Sequence, residues 1–120
     1  MKKLMAFDLD GTLLFDREIE PTNVQAIHRW QQAGNIAVCA TGKSIFATKL
    51  ALDTADVTFD YNVLYTGAVV TDAEYNILHA QTLSLAVVRA CYERFTKEPG
   101  VALFATTLTH DYRLADNVGS

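Results

Sequence analysis

From Leu4 to Leu9 the chain is apolar except for Asp8, with too little polar alternation for a half-exposed strand, so the run predicts a strand buried on both faces of a parallel sheet. A turn at Asp10-Gly11-Thr12 and an irregular stretch to Glu20 follow. Pro21 and Thr22 then open a helix: Thr22 and Gln25 have capping-box spacing, Val24 and Ile27 begin a buried stripe, and Gly34 marks the stop after Ala33. Ile36 to Ala40 predicts a second buried strand. A polar turn at Thr41 to Ser44 leads into a helix over Ile45 to Leu52, with Ser44 as its cap. Asn62 to Tyr65 reads as a third strand, and Ala68 to Val70 with Ile77 to His79 forms a hairpin around Asp72 to Asn76. Ser84 caps a third helix, in which Leu85, Val88, Tyr92 and Phe95 recur at steps of three and four. Pro99-Gly100 ends that helix, and Val101 to Thr106 is a last strand. The order βαβα implies an α/β fold with a parallel sheet. A soft boundary at Ala80 to Leu83 divides residues 1–80 from 81–120.

Composition narrows the class without changing this outline. Of 120 residues, 50% are hydrophobic and 20% charged, which is ordinary for a folded domain. The net charge of -4 provides no basic surplus for a phosphate backbone or an anionic bilayer, which argues against nucleic-acid or membrane partners. No apolar run approaches the roughly 18 to 20 residues that span a bilayer, and Met1-Lys2-Lys3 leads into a strand rather than a secretory signal. The expectation is a soluble, cytoplasmic protein. Cys39 and Cys91 read as reduced core thiols rather than a disulfide. His28, His79 and His110 lack metal-ligand spacing, Trp30, Tyr92 and Phe95 read as packing residues, and Asp53, Asp56 and Asp60 as a solvated loop.

The chemistry concentrates in Asp8-Leu9-Asp10-Gly11-Thr12, at the carboxyl end of the first strand, where an open parallel sheet places its ligand crevice. Asp8 and Asp10, two apart on a strand, begin on one face, and a hard cation such as Mg²⁺ relieves the repulsion between them. Gly11 permits a tight turn whose amides can face a phosphate, and Thr12 adds a hydroxyl. The plain alternative is a polar turn at a strand end, since Asp and Gly are common turn formers. The wholly apolar run before the pentapeptide, and Leu13-Leu14 after it, favour the site. Thr41-Gly42-Lys43-Ser44 also matches the tail of a Walker A loop, but Ala37 stands where that loop needs its first glycine.

Phe7-Asp8-Leu9-Asp10-Gly11-Thr12-Leu13-Leu14 resembles the first motif of the haloacid dehalogenase-like superfamily nearly residue for residue. Ala40-Thr41-Gly42-Lys43 is similar to the second motif, with Lys43 where the Cof-type sugar-phosphatase-like branch usually has Arg. Tyr65-Thr66-Gly67-Ala68-Val69-Val70 is similar to that branch's Asn-Gly-Ala turn, with Thr66 in place of Asn. The resemblance implies a Rossmann-like core over residues 1–80, incomplete, and the first elements of an α/β cap over 81–120. It implies a Mg²⁺-dependent phosphatase acting on a small phosphorylated metabolite, with Asp8 as nucleophile forming an aspartyl phosphate and Asp10 as acid and base. Asp8 and Asp10 would hold the metal, and Gly11, Thr12, Thr41, Gly42 and Lys43 the phosphate.

The family's later Lys motif and acidic Gly-Asp motif have no match. Lys97, Asp111 and Asp116 do not supply them: His110 replaces the glycine before the acid, and the stretch from Lys97 to Asp111 is too short for the helix and strand that should lie between. The expectation is therefore the N-terminal part of a phosphatase, inactive by itself, or a non-catalytic phosphate- and metal-binding module. The family's sheet places the first strand centrally, so in this chain Leu4 to Leu9 is expected to be an open edge. Such an edge pairs with another copy, pairs with a complementing C-terminal half, or aggregates.

Overall fold

A computed structural model describes residues 1–119. Nine strands and three helices follow one another as β1 (Leu4–Phe7), β2 (Leu14–Phe15), β3 (Glu18–Ile19), α1 (Pro21–Gln32), β4 (Ile36–Ala40), α2 (Ile45–Ala51), β5 (Tyr61–Leu64), β6 (Val69–Asp72), β7 (Ile77–Ala80), α3 (Leu85–Phe95), β8 (Ala102–Thr106) and β9 (Asp111–Asp116). The main sheet has the order β1-β4-β5-β6-β7. Its first three strands are parallel, and β6 and β7 extend it as an antiparallel hairpin. The arrangement is mixed α/β with a Rossmann-like core.

Register sorts the side chains into two faces. Phe7 pairs with Cys39, and Cys39 with Asn62, so Phe7, Ala37, Cys39, Asn62 and Leu64 share one face. The buried cluster on that face joins Leu9, Ala37 and Cys39 to Val24 and Ile27 of α1, with Ala51 and Leu52 at the end of α2 packed against it. Both helices thus cover one side of the sheet. Neither buried cluster draws on Leu4, Ala6, Ile36 or Val38 of the opposite face.

Several expectations from the sequence are corrected. The first strand stops at Phe7 and is not buried on both faces: Leu4 is 61% and Met5 44% exposed. A continuous apolar run implies neighbours on both sides only for a central strand, and β1 is the edge expected of this chain. The capping box at Thr22 does not form. Glu20 is the N-cap residue, with no side-chain cap, and Pro21 supplies the first helical turn with its preset φ. Ser44 and Ser84 do cap α2 and α3, accepting from the amides of Ala47 and Val87. β9 was not anticipated, because Asp111 to Asp116 carries alternating charges instead of an apolar run. Tyr92 and Phe95 of α3 are exposed rather than packed, and Cys91 is exposed rather than a core thiol.

Asp60 is not part of a purely solvated loop. Its carboxylate accepts from the Ala37 amide at 2.9 Å and from Gln31 Nε2 at 3.2 Å, while its own amide donates to the Ala37 carbonyl at 2.9 Å. This clamp ties the start of β5 to β4 and α1. Asp60→Ala is expected to lower stability by about 1–2 kcal/mol by leaving the Ala37 amide unpaired, whereas Asp53→Ala changes it by less than about 0.5 kcal/mol. Urea unfolding of the two variants beside the parent checks this.

Candidate functional site

Because β1, β4 and β5 are adjacent and parallel, the loops leaving their carboxyl ends open at one edge of the sheet. The first loop is built on Leu9, which is fully buried. Its carbonyl accepts from the amides of Thr12 (3.0 Å), Leu13 (3.0 Å) and Leu14 (2.8 Å), and the Gly11 amide donates to the Leu14 carbonyl at 3.1 Å. Gly11 has φ +79°, the left-handed region in which glycine carries no Cβ penalty. The amides of Gly11 and Thr12 are thus occupied within the turn and do not face outward as the sequence suggested; Gly11 shapes the loop instead. With Leu9 anchored inward, Asp8 and Asp10 on either side of it are exposed. Asp8 Oδ2 accepts from Thr12 Oγ1 at 3.0 Å.

The second loop joins the first through an ion pair, Lys43 Nζ lying 3.0 Å from Asp10 Oδ2. Both groups are partly exposed, so the pair is worth no more than about 1 kcal/mol in water. It nonetheless sets a cation beside one of the two carboxylates. Thr41 is buried; its amide donates to the Val63 carbonyl at 3.0 Å and its Oγ1 accepts from the Lys43 amide at 3.2 Å. Ser44 Oγ accepts from the Ala47 amide at 3.0 Å and donates to Asp111 Oδ2 at 3.0 Å.

The third loop fastens the second. Tyr65 donates its amide to the Lys43 carbonyl at 2.9 Å, and Thr66 donates its own to the Thr41 carbonyl at 3.3 Å. To make these bonds Tyr65 and Thr66 take positive φ, +52° and +57°. A Cβ at Gly42 would lie 3.2 Å from Thr66 Oγ1, so a side chain there fits only if Thr66 gives way by a few tenths of an ångström. The sequence named Thr66 only as part of a motif; the structure places it against the Thr41–Lys43 loop. The hairpin between β8 and β9 reaches the same loops, because the Tyr65 hydroxyl donates to the Thr107 carbonyl and the His110 ring lies 5.7 Å from that of Phe46.

Cys39 lies behind Asp8, and burial first, then the Asp8 charge, pushes its thiol up to about 12. The thiol is neutral and takes no part as a nucleophile. Among the described residues, no three His, Cys, Asp or Glu side chains gather closely enough to hold a metal ion. Mg²⁺ needs only one or two protein carboxylates beside waters and phosphate oxygens, so the exposed, oxygen-only pair Asp8 and Asp10 fits it, though as a sparse site. A cavity of about 350 Å³ lined by Lys49, Asn62 and Tyr75 lies against the β6–β7 turn and includes none of these loop residues.

Two outcomes follow from this geometry. Thr66→Asn is expected to raise stability by about 0.5–1 kcal/mol, because Asn tolerates the left-handed region that a β-branched residue resists; thermal and urea unfolding read the shift. Cys39 has its folded pKa raised above the ordinary 9.0, so the stability it confers is complete below pH 9 and is lost as pH rises from 9 towards about 12. At pH 8, iodoacetamide is expected to alkylate exposed Cys91 and spare Cys39 until urea unfolds the chain.

Comparison with known proteins agrees with this arrangement. A family model described as haloacid dehalogenase-like hydrolase matches residues 5–117. The chain is 35% identical over 89 residues to an HMP-PP phosphatase of Yersinia pestis, a match covering 73% of the chain and 32% of that protein. It therefore spans about a third of the length of the curated relatives it matches. A haloacid dehalogenase-like hydrolase from B. subtilis superposes with a TM-score of 0.69 at 26% identity, over 78% of this chain and 33% of that one. A HAD/COF-like hydrolase from Plasmodium vivax, 20% identical, has the same fold with a TM-score of 0.76 over 99% of this chain and 44% of its own.

Proposed function

The chain belongs to the haloacid dehalogenase-like hydrolases, and from that premise we propose that it carries the nucleophile half of a Mg²⁺-dependent, cytoplasmic phosphatase acting on a small phosphorylated metabolite. The observation that carries the reading is the meeting of the two motif loops, Asp10 against Lys43 at 3.0 Å, with Asp8 exposed beside them. Residues 1–80 form the core portion in this reading, and 81–120 the first elements of a cap. The Yersinia relative's name supports a small phosphorylated substrate.

In this mechanism the Thr12 hydroxyl bond to Oδ2 orients the Asp8 carboxylate and leaves Oδ1 free to attack phosphorus. The new bond is Oδ1–P; the bond that breaks joins phosphorus to the leaving oxygen, which takes a proton from the Asp10 carboxyl. Asp10, then ionised, takes a proton from the water that attacks the aspartyl phosphate, releasing phosphate and restoring Asp8. Thr41, the Gly42 amide and Lys43 hold the phosphoryl oxygens. Lys43 leaves Asp10 for the phosphate and, as a point charge, provides no bidentate fork. The Asp8 carboxylate and the Asp10 backbone carbonyl would hold Mg²⁺, which would offset negative charge on the phosphoryl group and leave the Asp10 carboxyl to move protons.

A second reading, a phosphate- and metal-binding module without turnover, is favoured by one observation. Asp8 and Asp10 have no third acidic partner among the described residues. The two readings divide on a simple assay. With Mg²⁺ and generic phosphate esters, residues 1–120 alone are expected to release little or no phosphate. A protein containing this chain at the length of its relatives is expected to turn over, and Asp8→Asn to reduce that turnover by about 10³-fold or more. Activity retained in Asp8→Asn overturns the phosphatase reading.

A further inference from the structure

We infer that the cavity between α2 and the β6–β7 turn binds a small, neutral aromatic molecule carrying one N–H or O–H donor, of the indole or phenol kind. The cavity has a volume of about 350 Å³, near the lower end of the roughly 300–1,000 Å³ of small-molecule sites, which suits one or two rings. Its lining residues all fall between Lys49 and Tyr75, and β4 separates their strands from β1. Among them Asn62 is only 2% exposed, and its Oδ1 has no hydrogen-bond partner. The orientation of that carboxamide is fixed by its neighbours. Nδ2 donates to the Asp72 carbonyl and to Thr71 Oγ1, both at 3.2 Å, and Thr71 Oγ1 gives its own proton to the same carbonyl at 2.9 Å. A carbonyl only accepts, so the amide cannot be reversed, and its oxygen is a buried acceptor left without a donor.

The walls select what that donor is attached to. Leu52, Val57 and Phe59 line the cavity, and Val57 and Phe59 are buried, so they favour an apolar body. Lys49 Nζ lies 5.1 Å from the centre of the Tyr75 ring, a cation held over a π face that can equally lie over the ring of a ligand. Tyr75 keeps φ +65°, which a bulky residue holds only where its surroundings fix it, and strain of this kind gathers at ligand clamps. An ammonium donor would exchange its hydration for one neutral acceptor and meet the Lys49 charge, and an anion would offer Oδ1 no proton. A neutral N–H or O–H on a flat apolar ring satisfies each of these groups.

Titration of isotopically labelled residues 1–120 with indole, followed through backbone amide resonances, is expected to give saturable shifts centred on residues 49–62 and 71–76, with a dissociation constant of about 1 mM or below. Benzofuran, which has the same shape with oxygen in place of N–H, should bind about tenfold more weakly, the usual contribution of one buried hydrogen bond. In Asn62→Leu that discrimination should disappear, and Ala55→Phe, which places a ring in the cavity, should abolish binding of both probes. No saturable shift at several times that concentration, the result if water alone satisfies Oδ1, overturns the inference. So do shifts centred outside the cavity, discrimination retained in Asn62→Leu, or benzofuran binding as tightly as indole to the parent chain, a comparison that stands even where Asn62→Leu does not fold.

Discussion

The side-by-side parallel pairing of β1 with β4 and of β4 with β5 is the constraint on which the rest of the molecule depends. Parallel neighbours end on the same side, so three loops far apart in sequence open together at one edge. Each loop then has its own local reason for its shape. Leu9 turns its carbonyl to three successive amides, Ser44 caps α2, and Tyr65 with Thr66 accept left-handed backbone to bond the Thr41–Lys43 loop. The strain at Thr66 is the cost of that fastening, and it falls beside Gly42, where a side chain would crowd Thr66 Oγ1.

Much of this was legible in the sequence because each signal was local and physically strong. IAVCA is a five-residue strand with the bounds its apolar run gave, and Ser44 sits before the helix that it caps. The candidate site residues Asp8, Asp10 and Lys43 stand out by motif, and the fold brings Asp10 and Lys43 into contact. What was misread depended on neighbours. An apolar run says nothing about whether a strand has one partner or two, so the burial of β1 was overestimated. Gly11 was given the role of presenting amides to a ligand, but the Leu9 and Leu14 carbonyls are nearer acceptors. Asp60 looked like a loop charge because nothing local reveals that the Ala37 amide, 23 residues earlier, needs an acceptor.

The segment from Ser84 onward illustrates a different limit. The α3 periodicity is genuine, yet Leu85, Val88, Tyr92 and Phe95 are all exposed, so an amphipathic pattern specifies a helix without specifying what covers it. What ties this segment to the core is polar and aromatic rather than patterned. Asp111 reaches Ser44, Thr107 receives the Tyr65 hydroxyl, and His110 lies against Phe46. Each contact lands on a loop or helix start that borders the site, which places the β8–β9 hairpin at its rim. Asp111, considered in the sequence as a metal ligand and set aside, is a hydrogen-bond partner of a helix cap.

The proposed function requires the Asp8–Thr12 and Thr41–Lys43 loops, with Thr66 held against the second, to form one phosphate site. Titrating inorganic phosphate into isotopically labelled chain while following backbone amide resonances tests it most directly. The account predicts saturable shifts concentrated at residues 8–12, 41–43 and 66, moving together with one dissociation constant. Shifts concentrated instead around the Lys49, Asn62 and Tyr75 cavity, or independent constants for the separate loops, would contradict it.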